Sequence, residues 1–297
     1  MKTRTLRSDL LILLASAIWG FAFVAQRAGM AHVGPFTFNA LRFMLGALVL
    51  VPFLRRTDAS SSSSLRDDIR VGILAGSVLF LGASFQQMGL VYTTAGKAGF
   101  ITGLYVILVP FLGIFWKKPT YLEAWAGAVL ATIGLYFLSV NEALQINPGD
   151  VLVLISALCW AFHIHIIDAY AHRMSPFRLA FVQFVTCAGL SSAVALGLES
   201  VTWEAIQGAM LPLLYAGFLS VGVGFTLQIV AQREAHPTHA AVLFSLESVF
   251  AALGGWWLLD EWLTGRQLAG CLLLLTGMIL SQVRPVQWVR ARFVEPL

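Results

Sequence analysis

Residues 13–23 read LLASAIWGFAF, and residues 154–164 read LISALCWAFHI. The second stretch follows the first by 141 positions and brings Trp160 onto Trp19. Further out, the same shift lays Pro176-Phe177 on Pro35-Phe36, and a shift of 142 lays Gln228 on Gln86, His239-Ala240 on Lys97-Ala98 and Leu246 on Leu104. At 143, LAG from Leu268 and then Gly277 fall on WAG from Trp125 and then Gly134. Identities are sparse, but a nearly constant offset over successive segments marks an internal repeat, with halves at 1–145 and 146–297.

Composition supplies the medium in which the halves fold. Hydrophobic residues make up 58% of the chain and charged residues 11%, with a mean hydropathy of +0.80. An ordinary soluble domain carries roughly 25% charged residues, so this is an integral membrane protein with no room for a large water-facing domain. Apolar runs long enough to cross a bilayer are expected at 9–29, 35–54, 71–92, 95–115, 121–140, 150–169, 176–197, 209–231, 237–259 and 265–283. They are continuous and rich in Leu and Ala, which favours helices over the short alternating strands of a barrel. The expected fold is all-α, ten transmembrane helices in two five-helix repeats. Because five spans precede the repeat, the second half enters from the opposite face and is inverted.

The start, MKTRTLRSD followed by LLILLASAIWGFAFVA, also has the form of a secretory signal. The match of Trp19-Gly20 to Trp160-Ala161 instead reads it as a retained first span. Fifteen of the 19 Lys and Arg fall on one side of this arrangement, while Arg27, Lys97 and Arg266 fall on the other. The positive side stays inside, so both termini are expected to be cytoplasmic, in a cell inner membrane. The net charge of +4 and pI near 9.1 therefore report orientation, since the basic groups sit in short loops and form no nucleic-acid-binding face. The connection from Arg55 to Arg70, with Ser60 to Ser64 and Asp67-Asp68, reads as a flexible linker. Asn141 to Asp150 reads as a turn, and the tail VQWVRARFVEPL reads as an interfacial helix or a frayed end.

Ionisable and amide groups inside spans are costly, so they face a bundle interior, a cavity or one another. At 1.5 Å per residue, Trp19, Tyr105, Trp160 and Glu247 fall near the bilayer centre. The repeat pairs Trp19 with Trp160 and Tyr105 with Glu247. Three roles are open to Glu247: proton exchange during transport, contact with substrate, or a structural ion pair with Arg42 of span two. Gln86 and Gln228 lie at matching depths, as solute contacts or as interhelical glue, and at most one of Gln86 and Gln87 points directly inward. Asn39 and Gln183 carry the same ambiguity.

His163 lies just past the midplane, but His163 and His165 are two apart and face different ways, so they make no zinc pair. His236 and His239 read as interfacial. Cys159, Cys187 and Cys271 have no metal or disulfide spacing and read as small hydrophobes. Gly72, Gly76, Gly99 and Gly103 offer smooth faces for close helix approach. Neither a metal nor a cofactor is called for, and phosphate-loop, HExxH, GxSxG and dinucleotide fingerprints are absent from the sequence.

With SAIWGFAF in span one, NALRFMLGALVL in span two, GKAGFITGLYVILVPFLG in span four and THAAVLFSLESVFAALGGWWLLDEWLTGRQLAGCLLLLTG across the last two, the chain resembles the EamA branch of the drug/metabolite transporter superfamily. It departs from the pattern where Lys118 stands at the first-repeat position of Glu261. The resemblance implies a central cavity between spans one, three, four, six, eight and nine, which here supply Trp19, Gln86, Tyr105, Trp160, His163, Gln228 and Glu247. It also implies export of amino acids, related metabolites or toxic compounds, often linked to protons. The expectation is a secondary transporter of a small neutral, zwitterionic or aromatic metabolite, working by alternating access. An intramembrane enzyme on a lipid-linked substrate, using Glu247 and His163, and a channel are the alternatives.

Overall fold

The computed structural model describes residues 2–54, 63–113, 122–139, 146–170, 173–232, 243–244 and 246–282. Among these there is no β-strand. The helices are α1 (Lys2–Gly29), α2 (Pro35–Leu50), α3 (Leu65–Gly89), α4 (Ala95–Gly103), α5 (Tyr105–Gly113), α6 (Leu122–Ser139), α7 (Pro148–Tyr170) and α8 (Pro176–Leu198). There follow α9 (Trp203–Gly208), α10 (Met210–Leu214), a wider π-helical segment (Tyr215–Phe225), α11 (Thr226–Gln232), α12 (Glu247–Leu259) and α13 (Gly265–Gln282). Seven helical stretches are long and apolar enough to cross a membrane: Leu10–Gly29, Pro35–Phe53, Leu65–Gly89, Ala95–Gly113, Pro148–Tyr170, Pro176–Leu198 and Met210–Ala231. Trp125–Leu138 and Gly265–Leu280 are shorter apolar helices. The basic tail, His236, His239 and Lys118 lie outside the described residues.

Helices α6 and α13 pack on one another, as do α3 with α7, α2 with α8, α3 with α8, α1 with α12 and α4 with α12. The π segment leans on α1 and α2, and α7 also meets α4 and α5. Leu14, Leu48, Leu81 and Leu272 are exposed on the outside of the bundle, as lipid-facing positions would be. Close approach between α6 and α13 depends on glycine: a Cβ on Gly134 would lie 2.7 Å from the carbonyl oxygen of Gly270, and one on Gly277 would lie 2.6 Å from that of Gly127. Those two contacts run in opposite order along the helices, so α6 and α13 are antiparallel.

The span expected at 95–115 is present as one apolar stretch, Ala95–Gly113, interrupted by a turn at Leu104, whose N–H bonds the Ile101 carbonyl at 3.2 Å while its own carbonyl accepts from Ile107 at 2.9 Å. These are tight three-residue turns. Gly103 precedes the break, and Pro110 inside α5 lacks an N–H and crowds the carbonyl one turn back, weakening a continuous helix here. A matching turn occurs at Leu246, with Leu246 N–H on Leu243 at 3.2 Å and Val249 N–H on Leu246 at 3.0 Å. The serine run is not linker at its end. Ser64 caps α3, accepting from Asp67 N–H at 3.1 Å, and the Ser63 hydroxyl donates to Asp68 at 2.6 Å. Asp68 is buried and pairs with Arg178 of α8 at 3.1 Å.

Helix starts elsewhere are secured by distant carboxylates, because an unsatisfied N–H in lipid is expensive. Glu199 accepts from Phe36 N–H at 2.9 Å and Thr37 N–H at 2.8 Å, capping α2. Asp260 ends α12 in the left-handed region, φ 53° and ψ 32°, which turns Glu261 back toward the start of α4. There Glu261 accepts from Ala95 N–H at 3.0 Å and Gly96 N–H at 3.3 Å. In the same turn of α4, Lys97 makes a buried ion pair of 2.8 Å with Asp150 of α7, and Asp150 also accepts from the Thr93 hydroxyl.

Candidate functional site

A partly open cavity lies between α1, α3, α4, α5, α7, the π segment, α11 and α12, with a single contribution from α2. The space open to the centre of a water molecule is about 60 Å³, on the order of four waters. All eight residues singled out from the sequence line it: Trp19, Arg42, Gln86, Tyr105, Trp160, His163, Gln228 and Glu247. Tyr105 and Glu247 are the first residues of α5 and α12, each immediately after its helix break.

A polar chain crosses the floor. The Trp160 indole donates to Gln86 Oε1 at 2.9 Å, and Gln86 Nε2 donates to Gln26 Oε1 at 2.9 Å. Gln87 turns away from the cavity and donates to the Gln26 carbonyl at 3.1 Å. The Trp19 indole donates to the Ser220 carbonyl at 3.2 Å, inside the π segment, where the widened turn leaves backbone acceptors free of the regular helical ladder. His163 Nε2 pairs with Gln183 Oε1 of α8 at 3.0 Å. Phe225 lies against both tryptophans, 5.0 Å from Trp19 and 5.9 Å from Trp160 between ring centroids, so in this conformation an aromatic ring occupies the space between them.

Arg42 and Glu247 do not make the structural ion pair that was one reading open from the sequence. Arg42 and Glu247 are each 3% exposed, yet no ion pair within 4.0 Å joins them. The Arg42 guanidinium sits 4.9 Å from the Phe43 ring centre and 5.8 Å from that of Phe38, and its Nε has no hydrogen-bond partner among the described residues. Tyr105 lines the same cavity as the Glu247 carboxyl group, whose Oε1 has no hydrogen-bond partner among the described residues.

Sequence reasoning missed Gln26, Thr102, Ser220 and Phe225, which also line the cavity. Gln26 carried a signal, since Trp19, Ala22, Phe23 and Gln26 follow helical spacing and share one face. Phe225 and Ser220 carried none that separates a cavity residue from a packed one. The described residues hold no group of three or more His, Cys, Asp or Glu able to bind a metal.

A multi-pass membrane protein with a central cavity of mixed aromatic and polar lining is the class these observations define. The chain belongs to the EamA-like transporter family, whose model matches residues 6–140 and again 147–282. It is 35% identical to an "Uncharacterized transporter" of Archaeoglobus fulgidus, over 95% of this chain and 87% of that one. It is 26% identical to a "Probable amino-acid metabolite efflux pump" of Salmonella typhimurium, over 93% and 94% of the two chains. A protein of the same description in Escherichia coli is 25% identical over 96% and 97%. A solved crystal structure shares the fold with a TM-score of 0.71 at 19% identity, covering 98% of this chain and 99% of that one.

Proposed function

We propose that this transporter is a secondary exporter of a small metabolite, an amino acid or a related neutral, zwitterionic or aromatic compound, carried by alternating access of the central cavity. The carrying observation is that cavity, set within the bundle and lined by aromatic faces, amides, Arg42 and Glu247. Concave, largely apolar sites with a few placed polar groups suit small solutes, and about 60 Å³ is tight enough that a solute of amino-acid size requires the helices to part. The names of the relatives support export.

The proposed frame is ten spans in two inverted repeats, 1–145 and 146–297, in a cell inner membrane with both termini cytoplasmic. Its support is that the main contacts between described helices have counterparts under exchange of the halves. Exchange turns α1 against the π segment and α11 into α7 against α3, turns α1 against α12 into α7 against α4 and α5, and returns α2 with α8 and α6 with α13 to themselves. The breaks at Leu104 and Leu246 are related by the same offset of 142. Rocking one set against the other would expose the cavity to each face in turn.

Glu247 is proposed to couple this motion to protons, binding one when the cavity faces one side and releasing it on the other. The titratable groups sharing the cavity with it are Arg42, Tyr105 and His163. In proteoliposomes, Glu247→Gln is expected to keep counterflow at saturating substrate and to lose uptake driven by a pH gradient. Unchanged pH-driven uptake would contradict the coupling role.

A further inference from the structure

The first turn of α4 belongs to one half of the chain and is gripped by two carboxylates of the other. Glu261 accepts from the N–H groups of Ala95 and Gly96 at 3.0 Å and 3.3 Å, and Asp150 pairs with Lys97 at 2.8 Å. This is the face with few Lys and Arg, the external one by the charge rule. The left-handed Asp260 and a bond of 3.1 Å from the Glu261 N–H to the Gly255 carbonyl aim the Glu261 side chain at α4. From there α4 and α12 run side by side toward the cavity along a seam of small residues. A Cβ on Gly96 would lie 3.2 Å from Ala252 Cα, one on Gly99 would press on Ala251 Cβ, and one on Gly103 would lie 2.5 Å from Ser248 Oγ. The Ser248 hydroxyl donates to the Gly99 carbonyl at 2.9 Å across the same seam. Thr102 and Glu247, at its inner end, line the cavity, so the seam stands between the cavity and the external face.

We propose that this seam is the external gate of the cavity and that Glu261 is its latch. The carboxylate satisfies two N–H groups that a helix start leaves without internal partners, and parting α12 from α4 gives up both bonds. The first half carries no such group at the equivalent position. An offset of 143 sets Lys118 there, a cation that cannot accept a hydrogen bond. The two halves therefore do not latch alike, and the empty transporter rests shut to the outside. The proposal rests on the alternating-access reading and adds to it which face is closed at rest, and by what.

The test uses the full-length protein with Cys159, Cys187 and Cys271 replaced by alanine and Thr102→Cys as reporter, in oriented proteoliposomes without substrate. A membrane-impermeant thiol reagent is expected to react more slowly from the Lys97 face than from the other. Glu261→Gln should raise the ratio of external to internal rate roughly five-fold, the order of one lost helix cap. A rise in both rates alike marks general loosening and overturns the latch, as does an unmoved ratio. A second measurement stands if Glu261→Gln does not fold. A Cβ on Gly96 lies 3.6 Å from Ala252 Cβ, within the range a disulfide spans, so Gly96→Cys with Ala252→Cys can staple the seam. Oxidation should abolish external reaction of Thr102→Cys and leave the internal reaction, and reduction should restore the former. External reaction that survives oxidation overturns the gate. Failure of alternating access looks different: Thr102→Cys then reacts from one and the same face whatever the state of latch and staple, whereas failure of the latch alone leaves reaction from both.

Discussion

Gln86 shows at the residue scale how polar groups survive inside this bundle. One amide accepts from Trp160 and donates to Gln26, tying α7 to α3 and α3 to α1. Gln86→Leu would strand both partners. Interhelical hydrogen bonds in membranes are worth roughly 0.6 kcal/mol each and rarely above about 1.7, so the loss of stability should be about 1 kcal/mol. The larger effect should fall on binding, because Trp160 loses the contact that fixes its ring. Thermal unfolding in detergent beside ligand titration separates the two, and a fall in stability with unchanged affinity would contradict a positioning role. Depth alone had selected Trp19, Trp160, Tyr105 and Glu247, and the repeat had matched Gln86 with Gln228, since a polar or amphipathic group inside an apolar run has few places to go. The same logic could not find Phe225, an apolar ring in an apolar run, nor tell that Gln87 and Gln86 part company, which shows only in their separate hydrogen bonds to the side chain and carbonyl of Gln26.

At the scale of elements, helix ends and helix contacts do separate work. Lys97 and Asp150 lock the starts of α4 and α7 together in a dry pair. Breaking a buried pair by removing one partner costs about 3–5 kcal/mol, whereas replacing both with apolar residues is often neutral. Lys97→Met is therefore expected to destabilise more than the double substitution Lys97→Met with Asp150→Leu, as read by thermal unfolding. Between α6 and α13, Gly134→Ala places a methyl 2.7 Å from a carbonyl oxygen and should cost about 1–3 kcal/mol. Gly189→Ala on α8 meets nothing within 4 Å and should change stability by no more than about 0.5 kcal/mol. Equal effects at the two glycines would count against the packing described. The positions of most helices were legible as apolar runs, but their ends were not. Hydropathy cannot see that Ser64 caps α3, that Glu199 reaches across to α2, or that the fourth span breaks at Leu104, because those depend on single hydrogen bonds between segments far apart in sequence.

At the scale of the whole molecule, the repeat offered two halves and a common depth, and the offset-related pairs Trp19 and Trp160, Gln86 and Gln228, and Tyr105 and Glu247 all line one cavity. The central claim is that this space opens to each side of the membrane in turn. Thr102 lines it and makes no side-chain hydrogen bond among the described residues, which makes it a reporter. With Cys159, Cys187 and Cys271 replaced by alanine, Thr102→Cys can be challenged in oriented proteoliposomes with a membrane-impermeant thiol reagent from either face. Reaction is expected from both faces, each slowed by bound substrate. Reaction from one face alone, or reaction indifferent to substrate, would contradict it.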